Sequence, residues 1–184
     1  MFTTYGFGNH PILNQYIRHH KWRKLLEIGV HTGENAKNMV EAANENFPVD
    51  QIEYYGFDTF SGVLGRQKQD PNLQKVKRKL RETGCQFKLY KGDSKETLPT
   101  HLEELPTMDL IFIDGGHDYP TVRSDWDHAR HLMGSHTATF FHNADWQGPR
   151  RVLENISRQE YTVELLNPPS DSLMAMVTVS ARKS

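Results

Sequence analysis

The stretch that decides the fold is "KLLEIGVHTGEN", residues 24–35. It starts as a short apolar run, passes through Gly29 and Gly33, and continues into a segment whose apolar residues recur at helical spacing. A strand that turns through glycines into a helix brings backbone amides and the positive helix end towards a ligand. The stretch therefore predicts the first strand, a ligand-binding loop and the first helix of an α/β domain.

The rest of the chain repeats this alternation of short apolar runs and amphipathic segments, which is typical of strand–helix–strand units with a parallel sheet. The last two apolar runs, "YTVELL" and "LMAMVTVSA", are joined by "NPPSDS" alone. No helix fits between them, so they are expected to pair antiparallel. The five strands predicted before this hairpin cover residues 24–30, 53–60, 87–93, 108–114 and 137–145.

Composition limits the classes of function. With 184 residues and a net charge of −1, the chain fits one domain, 1–184, without a global field for nucleic acid or an anionic membrane. Its one cysteine, Cys85, excludes an intrachain disulfide, and no apolar run is long enough to span a membrane. We expect a cytoplasmic protein. Residues 1–23 are predicted to form a helical segment that acts as a lid, contacts a second copy in a homodimer or only packs against the domain.

The glycine pattern decides between cofactors. A dinucleotide fingerprint requires GxGxxG, but counting from Gly29 places His31 and Glu34 at the other two glycine positions. NAD is therefore disfavoured, and no Walker loop is present in that frame. What remains is an ExGxxxG pattern made of Glu27, Gly29 and Gly33.

This pattern resembles the first motif of class I S-adenosylmethionine-dependent methyltransferases. Asp58 in "YGFDTFSG" and Asp93 in "YKGDSKETLP" match the family at the ends of the next two predicted strands. These segments, with "IDGGHDYPTVRSDW", are most similar to the small-molecule O-methyltransferase branch that includes macrocin O-methyltransferase-like enzymes. The resemblance implies a Rossmann-like methyltransferase fold with a mostly parallel seven-stranded sheet, an antiparallel C-terminal hairpin and helices on both faces.

The resemblance also implies roles for the cofactor residues. The loop with Glu27, Gly29 and Gly33 would wrap the methionine part of S-adenosylmethionine. Asp58 would accept hydrogen bonds from the ribose hydroxyls, and Asp93, with Ser94 beside it, would lie near the adenine amino group.

Polar residues after the fourth and fifth predicted strands suggest a second part of the site. Asp114, Asn143 and Asp145 form an oxygen-rich group suited to Mg²⁺, and related enzymes hold a divalent metal at these strand ends. A metal would lower the pKa of an acceptor hydroxyl, and Asp114 or His117 would take its proton. Asn143 stands where a second aspartate is frequent, so a metal-free enzyme with a histidine base stays open. His142 is as well explained by a structural role as by a ligand role.

Other polar and aromatic residues receive structural predictions. Asp118 is expected to cap the following helix, whereas Asp125 and Asp127 are expected on its solvated face. Trp126 follows the apolar stripe of that helix and is expected in the core, and Trp146 is expected to line a substrate pocket.

The sequence thus predicts methyl transfer from S-adenosylmethionine to an oxygen of a small-molecule acceptor, assisted by a divalent cation. Two alternatives are a non-catalytic module that binds the cofactor and, less favoured, an NAD-dependent oxidoreductase. Nucleic acid is an unlikely partner, since only the basic segment 71–84 supports it.

Overall fold

The computed structural model describes residues 8–61 and 71–181. These residues form seven strands: β1 Lys24–Ile28, β2 Glu53–Asp58, β3 Gln86–Lys91, β4 Met108–Ile113, β5 Met133–Phe141, β6 Tyr161–Leu166 and β7 Met174–Val179. They also form six α-helices: α1 Pro11–His20, α2 Glu34–Asn44, α3 Pro71–Thr83, α4 Ser94–His101, α5 Tyr119–Ala129 and α6 Gln147–Glu154. No helix within these residues is long and apolar enough to cross a membrane.

The seven strands form one sheet in the order β3-β2-β1-β4-β5-β7-β6. The strands from β1 to β5 pair in parallel, whereas β7 pairs antiparallel with both β5 and β6. The predicted mostly parallel sheet with an antiparallel final hairpin is therefore confirmed. The strand β1 lies between β2 and β4, where the chain order reverses, and open α/β sheets bind ligands at that point.

Side chains alternate between the two faces of the sheet, so each strand contributes to two apolar layers. In β1, Leu25 packs in the layer that holds α1, α2 and α3, while Leu26 packs in the layer of α4, α5 and α6. Trp126 of α5 is buried in the second layer, as predicted. Helices cover both faces, which leaves the carboxyl ends of the parallel strands as the accessible edge.

Two elements differ clearly from the sequence prediction. The helix α4 was missed, because it contains Pro99, and Leu98 is its only fully buried residue, so it has little helical periodicity. The strand β5 starts at Met133, four residues before the predicted start, and a register irregularity accommodates its polar beginning. The helix α1 falls within the predicted helical segment 1–23, of which residues 1–7 lie outside the described residues.

Candidate active site

A cavity of about 780 Å³ lies at the carboxyl ends of the parallel strands. It brings together most of the residues that the sequence analysis selected, although Glu27 and Asn143, the first and last of those on the lining, span 117 positions of the chain. Gly33 and Asp145 are not part of its lining. The predicted residues that do line the cavity are Glu27, Gly29, Asp58, Asp93, Ser94, Asp114, His117 and Asn143.

Gly29 lies where β1 and β4 approach each other most closely. Its φ is +95°, and a Cβ built on it would lie 2.1 Å from the carbonyl oxygen of Asp114. The backbone amide of Asp114 donates to the carbonyl oxygen of Ile28 at 2.8 Å, which keeps the two strand ends together. Only glycine combines this backbone angle with this contact.

Gly33 has a packing role. It precedes α2 with a φ of +73°, and a Cβ there would lie 2.9 Å from a methyl group of Val76 in α3. Gly33 therefore allows α2 and α3 to approach each other, and it shapes the cavity loop without lining the cavity.

Glu27 lies below the loop that follows β1, and its side chain is almost fully buried. It accepts hydrogen bonds from Asn35 Nδ2 at 2.8 Å and from the Tyr54 hydroxyl, which connect β1 to α2 and β2. Burial raises the pKa of Glu27 to about 7, although both hydrogen bonds act in the opposite direction. Glu27 thus anchors the floor of the cavity.

Asp58 and Asp93 each hold local backbone in place. Asp58 accepts hydrogen bonds from the backbone amides of His31 at 2.7 Å and Phe60 at 2.6 Å, so it joins the loops after β1 and β2. Asp93 is the N-cap of α4 and accepts from the Lys95 amide at 3.0 Å. Both carboxylates remain on the cavity lining.

A closed cluster of four side chains, which we call the Asp-His ring, lies beside the end of β4. Its members are Asp114, His142, Asp171 and His10. Asp114 Oδ1 lies 2.8 Å from His142 Nδ1, and His142 Nε2 lies 3.0 Å from Asp171 Oδ1. Asp171 Oδ2 lies 2.6 Å from His10 Nδ1, and His10 Nε2 closes the ring at 3.7 Å from Asp114 Oδ2.

The charges in the Asp-His ring stabilise one another. Burial alone would lower the pKa of His10 and of His142, but their contacts with Asp114 and Asp171 outweigh it and raise each pKa to about 9. The pKa of each aspartate falls well below its ordinary value, because the hydrogen bonds from histidines outweigh burial. At neutral pH the ring therefore holds two carboxylates and two imidazolium groups.

The sequence interpretation missed His10 and Asp171 as site residues. His10 lies just before α1 and Asp171 lies in the loop between β6 and β7, so 161 positions separate the two. Neither residue belongs to a motif. The one available signal was that Asp171 lies in "NPPSDS", the segment just before β7, and β7 pairs with β5.

His117, Asn143 and Trp146 lie together on the cavity lining. Asn143 has a left-handed backbone, φ +49°, and its Oδ1 lies 2.8 Å from His117 Nε2. The ring centroids of His117 and Trp146 are 4.7 Å apart, and Trp146 is half exposed on the cavity lining. The indole thus packs on the imidazole at the open side.

The three oxygen ligands predicted for Mg²⁺ do not come together. The left-handed turn at Asn143, closed by a hydrogen bond from the Trp146 amide to the Asn143 carbonyl at 2.9 Å, leaves Asp145 exposed and outside the cavity lining. The side-chain oxygens of Asn143 and Asp114 face the imidazoles of His117 and His142. The predicted ligand set Asp114, Asn143 and Asp145 is therefore corrected: these residues do not fit a magnesium site.

The predictions for α5 had mixed outcomes. Asp118 is its N-cap and accepts from the Thr121 amide at 3.1 Å, as predicted. The prediction that Asp125 is solvated was wrong, since its side chain is fully buried behind Ser94 and Gly115. Burial raises its pKa to about 7.

Comparison with known protein families identifies the class of the chain. Residues 26–144 match a family model described as a methyltransferase domain. The chain belongs to this methyltransferase family. The match runs from β1 to just beyond β5, so it includes the strand ends that line the cavity. Among curated proteins, no significant match was found.

Solved structures share the methyltransferase fold at low sequence identity. The O-methyltransferase TomG from Streptomyces achromogenes, in complex with SAM, has a TM-score of 0.73 and 18% identity, covering 92% of this chain and 78% of TomG. The calicheamicin methyltransferase CalS11 has a TM-score of 0.75 and 18% identity, covering 91% and 77%. An O-methyltransferase from Bacillus cereus, in complex with SAH, has a TM-score of 0.74 and 14% identity, covering 95% and 84%.

Proposed function

We propose that the protein transfers a methyl group from S-adenosylmethionine to an oxygen of a small-molecule acceptor. The observation that carries this proposal is one continuous cavity lined by the Gly29 loop, by Asp58 and Asp93 at successive strand ends, and by His117 at its other end. Family membership and the similarity to O-methyltransferases, two of them bound to SAM or SAH, support it.

The lining fits the parts of this cofactor. Gly29 opens the loop for the methionine part, and Asp58, on the cavity lining, offers carboxylate oxygens to the ribose hydroxyls. Asp93 and Ser94 lie at the start of α4, where they would face the adenine. When bound, the cofactor supplies an electrophilic methyl group on sulfur, which needs no covalent intermediate with the protein.

His117 is the better of the two candidate bases. Asp114 is held by its histidine contacts, which lower its pKa and make it a weak proton acceptor. The His117 side chain is one-third exposed on the lining, and its Nε2 donates to Asn143 Oδ1, so Nδ1 of the neutral ring keeps the free lone pair. His117 takes the acceptor proton as the new oxygen–carbon bond forms and the sulfur–carbon bond breaks. The products are a methyl ether, or ester, and S-adenosylhomocysteine.

Replacing Asp58 with alanine tests the cofactor site. We expect S-adenosylhomocysteine to bind the wild-type protein and to bind Asp58→Ala about tenfold more weakly or worse, because at least about 1.4 kcal/mol of hydrogen bonding is lost. Isothermal titration calorimetry measures both affinities. Asp50→Ala, which removes an exposed aspartate outside the cavity, is the matched control. Equal affinity in all three proteins, or binding of NADH instead, would contradict the proposal.

Replacing His117 with alanine tests the base. Once a panel of hydroxyl compounds has yielded a methylated product by mass spectrometry, we expect His117→Ala to lower kcat by about a hundredfold or more. Its affinity for S-adenosylhomocysteine should stay close to wild type. His136→Ala, at an exposed position near the start of β5, is the control. Cofactor binding without methylation of any compound in the panel would favour the non-catalytic module.

A further inference from the structure

We propose that the Asp-His ring takes the place of a divalent cation in this protein, so that cofactor binding and methyl transfer need no metal ion. The proposal rests on the proposed methyl transfer for its catalytic part only. Its structural part, that Asp114 is neutralised by histidines of the same chain, stands on the geometry of the ring.

The ring uses all of its polar atoms. Each of the four carboxylate oxygens of Asp114 and Asp171 faces a nitrogen of His10 or His142, at distances from 2.6 to 3.7 Å. Each of the four imidazole nitrogens in turn faces a carboxylate. A cation that approached Asp114 would have to displace an imidazole that is already bound there.

The geometry also favours one protonation state of the ring. An ionised carboxylate can only accept hydrogen bonds, so a ring nitrogen that faces one must carry a hydrogen. Both nitrogens of His142 lie within hydrogen-bond distance of carboxylates, so its ring is an imidazolium group. His10 donates from Nδ1 to Asp171, and its Nε2 lies 3.7 Å from Asp114 Oδ2, an ion-pair distance that favours the protonated ring as well. Two positive charges then balance two negative charges, and burial of the four groups needs no further counterion.

The same residues contain donors that transition metals accept, which is the competing interpretation. The ligand atoms of Asp114, His117 and His142 lie within 4.8 Å of one another, and so do those of His10, His142 and Asp171. Metal binding requires neutral imidazole, however, and would release the protons that hold the ring together. The closed ring therefore opposes a metal at this position.

The ring also positions two segments that line the cavity. His10 comes from the segment before α1, and Asp171 comes from the loop between β6 and β7, whereas Asp114 and His142 follow β4 and β5. The neighbouring residues Gly8 and Asn9, together with Ser170 and Ser172, line the cavity as well. His10 and Asp171 are thus positioning residues, which hold two segments distant in sequence against the cavity.

Metal titration of protein first dialysed against EDTA is the direct test. We expect no 1:1 binding of Mg²⁺, Mn²⁺ or Zn²⁺ by calorimetry, and S-adenosylhomocysteine affinities within about twofold with and without each metal. Stoichiometric metal binding that raises the melting temperature or the cofactor affinity would overturn the proposal. If S-adenosylhomocysteine fails to bind under every condition, the proposed function fails, while the metal titration still decides the role of the ring.

Two further measurements separate the ring from a metal site. Histidine-labelled wild-type protein should show the imidazoles of His10 and His142 still protonated at about pH 8, by NMR, and both signals should be lost in Asp171→Asn. His142→Asp replaces an imidazolium with a third carboxylate, so we expect its Mg²⁺ affinity to rise about tenfold or more. His136→Ala, at an exposed position of β5, should behave as wild type. Equal Mg²⁺ affinity in His142→Asp and wild type, or neutral histidines at that pH, would overturn the proposal.

Discussion

Replacing Gly29 with alanine is expected to lower the affinity for S-adenosylhomocysteine by about a hundredfold or more and to destabilise the fold by at least about 3 kcal/mol. The new Cβ would lie 2.1 Å from the Asp114 carbonyl oxygen and 2.5 Å from its carbonyl carbon, both of them backbone atoms that cannot rotate away. The end of β4 must therefore move away from β1, and this movement displaces the cofactor loop and the Asp-His ring together.

A second glycine, Gly84, separates two causes of this effect: the strain of a left-handed backbone and the contact of the new Cβ with its neighbours. Gly84 has a φ of +86°, close to that of Gly29, but a Cβ there would lie 3.4 Å from the nearest atom, a methyl group of Val49. Gly84→Ala should therefore cost only about 1 kcal/mol of backbone strain and leave cofactor affinity unchanged. Urea unfolding and calorimetry on both variants measure the difference. If the two variants are affected equally, the close approach of β1 and β4 is not what limits position 29.

The second large effect is a gain of stability in Asp125→Asn. Among the described residues, neither carboxylate oxygen of Asp125 has a hydrogen-bond partner, and burial raises its pKa from 3.8 to about 7. The interaction with the Ser94 side chain only partly offsets that burial. The asparagine side chain carries no charge at any pH, so it avoids the cost of ionising the buried carboxyl.

The sign of the pH dependence follows from proton binding. Between about pH 4 and pH 7 the folded protein keeps a proton on Asp125 that the unfolded chain has released. Stability therefore falls as the pH rises through this range, and above pH 7 the folded state bears the full cost of the buried charge. The rise in the pKa of Asp125 from 3.8 to about 7 corresponds to at most about 4 kcal/mol, which is the upper limit of the gain in Asp125→Asn.

Urea unfolding of wild type and Asp125→Asn at pH 5 and at pH 8 measures this gain. The variant should be more stable at pH 8 and should differ little from wild type at pH 5. Asp127→Asn is the matched control, because Asp127 is partly exposed on the same helix and pairs with Arg123. Part of the slope should remain in Asp125→Asn, since Glu27 is buried with its pKa raised in the same direction. An identical pH profile in wild type and Asp125→Asn would contradict this account.

Local sequence patterns were enough to predict which residues line the proposed cofactor half of the cavity. Gly29 directly follows β1, Asp58 is the last residue of β2 and Asp93 lies two residues after β3, and parallel strands have their carboxyl ends at one edge of a sheet. Strand order and spacing were therefore sufficient to predict that these residues lie together.

The acceptor half depends on backbone direction and on pairs distant in sequence. No local sequence pattern predicted the left-handed conformation of Asn143, which leaves Asp145 outside the cavity lining. Asp125 was misplaced for a related reason: a single helix in sequence does not show that its polar face lies against α4 and the loop after β4.

The parallel sheet, the antiparallel hairpin and the loop that marks a methyltransferase could be predicted from the sequence, because these follow from side-chain periodicity and glycine placement within short segments. The surroundings of Asp114, in contrast, depend on how distant segments pack in three dimensions. The positions of His10 and Asp171 depend on how the chain before α1 and the final hairpin pack across the sheet edge. Carboxylates attract imidazolium and metal ions alike, so the identity of the partner is a property of that packing and not of the motif.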